Sequence, residues 1–168
     1  VPCAVSHDLE TALAASEHAS RSKPIARVIV LSGTGSCCYG RNAEGQTAKV
    51  GGWGHLLGDK GSGYEIGLRA LKAVVYYFDR DNLWPALGQR LLRVLQLNEP
   101  NELIGWAQSA DKSEIAALAM EVFRAWEKRD RIANDILEGA AHTLAKDAAA
   151  CARRLAPPGR GVQFVYAG

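Results

Sequence analysis

The chain has 168 residues, which is enough to bury a hydrophobic core, and its length predicts one domain. Lysine and arginine together number 20 and aspartate and glutamate 18, so the formal charge of +2 is too balanced to indicate a nucleic-acid partner. No apolar run approaches the roughly 18 residues that a membrane-spanning helix needs, so no membrane partner is predicted.

Both ends of the chain look like cuts through a folded unit. The sequence opens on Val1-Pro2-Cys3 without an initiator methionine, and it closes on Gly168 directly after the apolar run VQFVY. We therefore expect a piece of a larger protein. No signal peptide is recognisable, so we also expect a cytoplasmic location.

The first predicted elements are a helix and a buried strand. Residues 8–20 have helical composition, with Asp8 at the position of an N-cap residue. Residues 21–24 break this helix. The continuous apolar run over 26–32 then predicts a strand that is covered on both faces of its sheet.

Two more strands complete the predicted sheet-forming region. Residues 36–41 return as the partner of the first strand, and the sequence NAEG at 42–45 predicts a hairpin turn toward a third strand over 47–50. Near residue 61 the apolar pattern changes from that of strands to that of helices.

Four helices are predicted beyond this point, because apolar residues recur at intervals of three and four. Their predicted buried faces are Leu68, Leu71, Val75 and Phe78; then Leu87, Leu91, Leu92 and Leu95 within 81–96; then Ile115, Leu118, Val122, Phe123 and Trp126; and last Ile132, Ile136, Ala140, Leu144, Ala148, Cys151 and Leu155. The sequence PPG at 157–159 ends the last helix, and residues 162–166 predict a final strand.

The predicted fold class is therefore α/β, a short mixed sheet followed by a helical segment. We expect a single domain over 1–168 that is sheet-rich over 1–60, mainly helical over 61–156, and closed by the strand over 162–166. The sequence contains no internal repeats and no low-complexity segment.

The four cysteines are Cys3, Cys37, Cys38 and Cys151. Their spacing fits no metal site, because neighbouring residues of a strand point to opposite faces and Cys37 and Cys38 could not chelate one ion together. Four cysteines are also too few for a disulfide framework in a chain of this length. We interpret them as reduced thiols and predict no metal-ligand set.

A glycine-rich turn, Gly33-Thr34-Gly35-Ser36, follows the first strand directly. Glycines let backbone amides approach an anion closely, and the hydroxyls of Thr34 and Ser36 could add donors, so the turn could hold phosphate oxygens. It is not a P-loop, because no lysine follows it and it leads toward a strand. Taken alone, GTGS fits a plain hairpin turn equally well.

A second glycine cluster surrounds an indole in the sequence GGWGH, which includes Gly52, Trp53 and His55. Bare backbone beside a rigid flat ring suits close approach to a sugar. Asp59 follows and could either accept hydrogen bonds from two sugar hydroxyls or cap the helix that starts near Tyr64, and we favour the contact with a sugar. We interpret His55 as a structural imidazole that bonds backbone in the loop.

Together these motifs resemble the N-acetylglucosamine kinases of the BadF/BadG/BcrA/BcrD ATPase family, within the actin, hexokinase and Hsp70 superfamily. The segments that carry the resemblance are HDLETAL at 7–13, LSGTGS at 31–36 and GGWGHLLGDKGSGYEIG at 51–67. The resemblance implies a ribonuclease-H-like (actin-like ATPase) domain that is part of a two-lobed kinase, with ATP and sugar bound in the cleft between the lobes.

The same resemblance assigns roles to individual residues. Asp8 matches the aspartate that acts as base toward the sugar 6-hydroxyl. The turn from Gly33 to Ser36 matches the loop that holds the β- and γ-phosphates of ATP, and Mg²⁺ would bridge those phosphates. Gly52, Trp53 and Asp59 match the sugar-contacting segment. An N-terminal phosphate loop and an adenosine-side loop of such kinases have no counterpart in this chain, so we do not expect it to be a competent kinase alone.

Two other functions stay open at this stage. An ATPase activator of 2-hydroxyacyl-CoA dehydratases belongs to the same family but holds an iron–sulfur cluster between subunits, and these cysteines supply no convincing pair for one. The third alternative is a non-catalytic, sugar-sensing domain of the same fold. The expected ligands are an amino sugar, ATP and Mg²⁺. A homodimer and a fusion to a sugar-phosphate etherase or isomerase domain are both compatible with the sequence.

Overall fold

The structure is a computed structural model that describes residues 9–10, 13 and 24–168. One mixed sheet contains the strands β1 (Ala26–Ser32), β2 (Ser36–Asn42), β3 (Thr47–Gly51) and β4 (Val162–Ala167) in the order β3-β2-β1-β4. β1 pairs antiparallel with β2 and parallel with β4, and β2 pairs antiparallel with β3. The four strands predicted from the sequence are confirmed.

The described residues between β3 and β4 form six helices. They are α1 (Gly63–Asp81), α2 (Ala86–Leu95), α3 (Glu102–Ser109), α4 (Lys112–Ala117), α5 (Ala119–Trp126) and α6 (Arg131–Arg153). None of the helices in the described part of the chain has the length and hydropathy to cross a lipid bilayer. The described residues form a short mixed sheet and a helical segment, as the sequence predicted.

β1 is buried on both faces of the sheet, as its continuous apolar run predicted. On one face Val28 and Val30 pack with Cys38 against Ala148 and Cys151 of α6. On the other face Ile29 and Tyr39 pack with Leu13. Leu13 is one of the described residues of the predicted 8–20 helix, and it is helical. Leu9 and Glu10 are also helical, and the other residues of the predicted helix, including Asp8, lie outside the described residues.

The cysteines of the described chain, Cys37, Cys38 and Cys151, are buried free thiols, and Cys3 lies outside the described residues. Burial raises the pKa of Cys38 to about 12 and that of Cys151 to about 11. A thiol with so high a pKa is neither a good nucleophile nor a ready metal ligand. No group of three or more His, Cys, Asp or Glu side chains that could hold a metal ion occurs among residues 9–10, 13 and 24–168.

The face that α1 buries differs from the predicted one. The buried residues are Ile66, Gly67, Ala70, Leu71 and Val74. Of the predicted stripe, only Leu71 is buried, and Val75 is exposed. The small residues Gly67 and Ala70 determine which face of α1 is buried, because they let the neighbouring helices approach closely. The spacing of the large apolar residues gives no information about these close contacts.

The predicted helix boundaries beyond α1 also need correction. The predicted 81–96 helix is shorter, because Asn82 ends α1 with φ of 50° and α2 begins only after Pro85. The predicted third helix is two helices that meet at Leu118, and its Phe123 and Trp126 are exposed rather than buried. α3 was not predicted. α6 is confirmed as the long fourth helix.

Candidate functional site

The GTGS turn (residues 33–36) joins β1 to β2 and closes through a hydrogen bond from the Gly33 amide to the Gly35 carbonyl at 3.0 Å. Thr34 at its tip is exposed. Across the described residues, the amides of Thr34 and Gly35 have no hydrogen-bond partner. The tip therefore presents two backbone donors and one hydroxyl to an incoming anion, without a lysine.

Ser36 holds the turn from the protein side. Its amide donates to Asp59 Oδ1 at 3.1 Å, and its buried hydroxyl donates to the carbonyl of Lys60 at 2.8 Å. The sequence interpretation grouped the hydroxyls of Thr34 and Ser36 as phosphate donors. Thr34 is the one that the fold leaves exposed, while Ser36 fixes the position of the turn.

A second loop, the GGW loop (residues 51–62), packs against the GTGS turn. The Gly63 amide, directly after this loop, donates to the Gly33 carbonyl at 2.8 Å, and Ser32 Oγ, directly before the turn, donates to the Gly61 carbonyl at 2.8 Å. Gly35 leaves little room for a side chain, because an added Cβ would lie 3.0 Å from both carboxylate oxygens of Asp59. The two glycine motifs, separate in sequence, therefore form one structural unit.

Asp59 is the buried carboxylate at the centre of this unit. Only 4% of the residue is exposed, and its backbone has φ of 56°, in the left-handed region that few non-glycine residues occupy. Its Oδ2 accepts a hydrogen bond from Lys112 Nζ at 2.7 Å. Such outliers persist where the surrounding structure fixes them, often at functional sites.

The surroundings of Asp59 favour its ionised form. Burial alone would raise the pKa of this carboxyl, but the hydrogen bonds from Lys112 and the Ser36 amide, together with the charges of Lys112 and His55, lower it below its ordinary value of 3.8. Asp59 does not cap α1. Ser62 does so instead, since its side chain accepts from the Glu65 amide at 3.2 Å, which removes the capping alternative.

Trp53 extends this unit to the surface. The residue is 74% exposed and follows Gly52, which is itself exposed and has φ of 71°. The arrangement is a free indole beside bare backbone. His55 was expected to bond backbone, but its ring instead meets Tyr64 edge-on, with 5.1 Å between the ring centroids.

The fold brings together most of the predicted site residues and adds one. Gly33, Gly35 and Ser36 contact the segment around Asp59, and the amide of Gly52 donates to the Ser36 carbonyl at 3.1 Å. Asp8 lies outside the described residues. Lys112 was missed, because it is 53 residues from its partner Asp59 and no local motif marks it.

Comparison with known proteins identifies the relatives of this chain. Residues 10–168 match the sequence profile of the BadF/BadG/BcrA/BcrD ATPase family. An N-acetylmuramic acid/N-acetylglucosamine kinase of Clostridium acetobutylicum is 44% identical over 119 residues, 70% of this chain and 39% of that protein. An N-acetyl-D-glucosamine kinase of Dictyostelium discoideum is 39% identical over 120 residues, 70% of this chain and 38% of that protein. The chain therefore spans less than half the length of these relatives.

Two solved structures are similar to this chain. A Chromobacterium violaceum protein provisionally assigned as an N-acetylglucosamine kinase matches 91% of this chain and 50% of its own, with a TM-score of 0.70 and 27% identity. A Porphyromonas gingivalis protein with the same provisional assignment matches 82% of this chain and 46% of its own, with a TM-score of 0.57 and 16% identity, which supports the fold alone. The predicted actin-like ATPase class is confirmed, and the chain belongs to the BadF/BadG/BcrA/BcrD ATPase family.

Proposed function

We propose that the full-length protein containing this chain is an ATP-dependent kinase that transfers the γ-phosphate of ATP to the 6-hydroxyl of N-acetylglucosamine or a related amino sugar. The observation that carries the proposal is the hydrogen bond from the Ser36 amide to Asp59 Oδ1. It joins the turn expected to hold phosphate to the carboxylate expected to hold sugar, so that the two ligands would bind side by side. The names of the relatives support a kinase that acts on an amino sugar.

The GTGS turn fits the phosphates of ATP. The amides of Thr34 and Gly35, which have no partner within the described part of the chain, and the exposed Thr34 hydroxyl are donors that phosphate oxygens need. The space beside Gly33 is open. When bound, MgATP supplies the phosphoryl group, and the metal ion neutralises charge on the phosphates. Phosphoryl transfer depends mainly on such positioning, and the hydrogen bonds of Ser36 to Asp59 and Lys60 fix the turn in place.

The sugar would lie against Gly52, Trp53 and Asp59. The indole offers a flat surface, and the ionised carboxylate of Asp59 can accept hydrogen bonds from neighbouring hydroxyls. We further propose that Asp8 is the base that orients the attacking 6-hydroxyl, as its match within the HDLETAL segment implies. Residues 1–168 then form a single partial domain that supplies one side of the cleft, and the rest of the cleft comes from other parts of the protein.

The first experiment measures ADP release by the full-length protein with MgATP and a panel of N-acetylglucosamine, N-acetylmuramic acid, N-acetylmannosamine and glucosamine. We expect turnover with at least one of the first two, because relatives carry both names. The 6-deoxy analogue of the accepted sugar is the matched control and should give no sugar-dependent ADP. The absence of sugar-dependent ADP release, together with an iron signal, would indicate the dehydratase-activator function instead.

Replacing Asp59 with alanine should raise KM for the sugar about tenfold or more, because hydrogen bonds to a charged group contribute about 1.5–3 kcal/mol. KM for ATP should rise less, through loss of the contact with the Ser36 amide. Steady-state kinetics with each substrate varied separately checks this. Asp79→Ala, at an exposed position on α1, is the control and should leave both constants unchanged. An unaltered KM for sugar would remove Asp59 from the sugar site.

A further inference from the structure

Among the side chains that the structure describes in the helical part of the chain, Lys112 is the one that hydrogen-bonds Asp59. It is the first residue of α4, and its Nζ lies 2.7 Å from Asp59 Oδ2. The side chain of Asp59 is 5% exposed and that of Lys112 is 33% exposed. The ion pair is therefore largely buried on the carboxylate side and open to solvent on the ammonium side.

The location of Lys112 has no local explanation. A cation in the first turn of a helix is disfavoured by the helix dipole. The start of α4 is already satisfied by a capping box, in which the Glu114 amide donates to Asp111 Oδ1 and the Asp111 amide donates to Glu114 Oε2, both at 2.8 Å. The contact with Asp59 is thus the interaction that explains a lysine at this position.

The helices hold Lys112 in place. Ile115 of α4 is buried, and its carbonyl packs directly against Gly67 of α1. Because α1 begins beside the GTGS turn, with the Gly63 amide on the Gly33 carbonyl, α4 and the turn share one support. Lys112 Nζ is therefore presented to Asp59 from a helix that packs against α1.

We propose that Lys112 is a positioning residue, which acts through Asp59 to fix both the sugar-contacting carboxylate and the phosphate-binding turn. The inference rests on the proposed kinase function. Without the ammonium group, Asp59 would be a buried carboxylate whose remaining direct donor, among the residues that the structure describes, is the Ser36 amide. A buried charge that loses its partner is strongly disfavoured. The carboxylate would then rotate or take up a proton, and the contact with Ser36 would weaken with it.

The kinetic test is a double-mutant cycle in the full-length protein, with Lys112→Met and Asp59→Asn made singly and together. K112M alone should lower kcat/KM for the sugar about tenfold, within the range of coupled contacts. In the D59N background it should change kcat/KM less than about twofold, because its partner is already neutral. Lys112→Arg should recover most of the loss. Lys128→Met, at an exposed lysine after α5, is the matched control and should leave kcat/KM for the sugar unchanged.

Two kinetic outcomes would overturn the inference. Losses that multiply in the double variant would mean that Lys112 contacts a ligand directly and does not act through Asp59. Wild-type kinetics in K112M would mean that the ion pair has no role in positioning. Thermal unfolding of each variant identifies any general loss of folding, and K112R, which keeps the charge, decides the matter if K112M does not fold.

A second measurement needs no kinase activity. The pKa of Asp59 can be followed by carboxyl ¹³C NMR in the free protein, where Lys112, His55 and the Ser36 amide are the groups that lower it. K112M should raise this pKa, whereas K128M should not. An unchanged pKa in K112M would overturn the inference. Kinase activity missing from the wild type, with the K112M shift still present, would contradict the proposed function but support the coupling of Lys112 to Asp59.

Discussion

Replacing Asp8 with asparagine is expected to lower kcat of the full-length protein by about 10²–10⁴-fold, the usual contribution of a positioned general base. Asparagine is nearly the same size but cannot accept the proton of the 6-hydroxyl. KM for the sugar should change little, because the sugar contacts assigned to Trp53 and Asp59 are unaffected. A loss confined to kcat is the sign of an interaction made mainly in the transition state.

The control for this prediction lies in the same segment. Glu10 carries a carboxylate two residues away, and it accepts a hydrogen bond from Tyr39 Oη at 2.9 Å. Glu10→Gln keeps a carbonyl oxygen for that bond, so kcat should stay within about twofold of the wild type, as for a mild change outside the chemistry. Near-normal turnover in D8N would show that Asp8 is not the base.

The strands and turns of this protein could be predicted because their signals are local. A few adjacent residues are enough to predict the conformation of β1, with its β-branched run, of the turn before β3, and of the glycine turn GTGS. The close association of the two glycine motifs was also foreseeable in part, because both were assigned to one binding site. Ser36 and Asp59 are nevertheless 23 residues apart, and the direction of each hydrogen bond depends on the folded chain.

The errors arise where tertiary packing overrides local pattern. Gly67 and Ala70 lie on the buried face of α1, so the stripe of large apolar residues indicated the wrong face of this helix. Lys112 could not be assigned from sequence, since only the packing of α4 against α1 places its ammonium group beside Asp59. These residues share one property: their role depends on a neighbour that is distant in sequence.

The largest expected loss of stability is that of Gly67→Ala. An added Cβ would lie 2.0 Å from the carbonyl oxygen of Ile115, about 1.5 Å short of van der Waals contact. Because the obstacle is backbone, no side-chain rotation can relieve it, and α4 must move. Overpacking costs about 1–3 kcal/mol and sometimes more, whereas alanine in a helix gains about 1 kcal/mol over glycine. The clash should dominate, with a net loss of about 1–2 kcal/mol and a lower Tm.

Gly105→Ala is the matched control for this prediction. Gly105 lies within α3 and has no atom within 4 Å of an added Cβ. The same substitution should therefore stabilise the protein there by about 0.4–1 kcal/mol, because it restricts the unfolded chain and favours the helix. Chemical unfolding of both variants separates the effect of the contact with Ile115 from the effect of the amino acid itself.

The position of Gly67 also connects stability to the proposed site. A displacement of α4 that relieves the clash would carry Lys112 away from Asp59, and an ion pair of 2.7 Å tolerates little displacement. G67A should therefore raise KM for the sugar in the same direction as K112M, even at temperatures where it is fully folded, whereas G105A should not. A destabilised G67A protein with an unchanged KM would show that α4 moves without disturbing the carboxylate, and that α1–α4 packing serves stability alone.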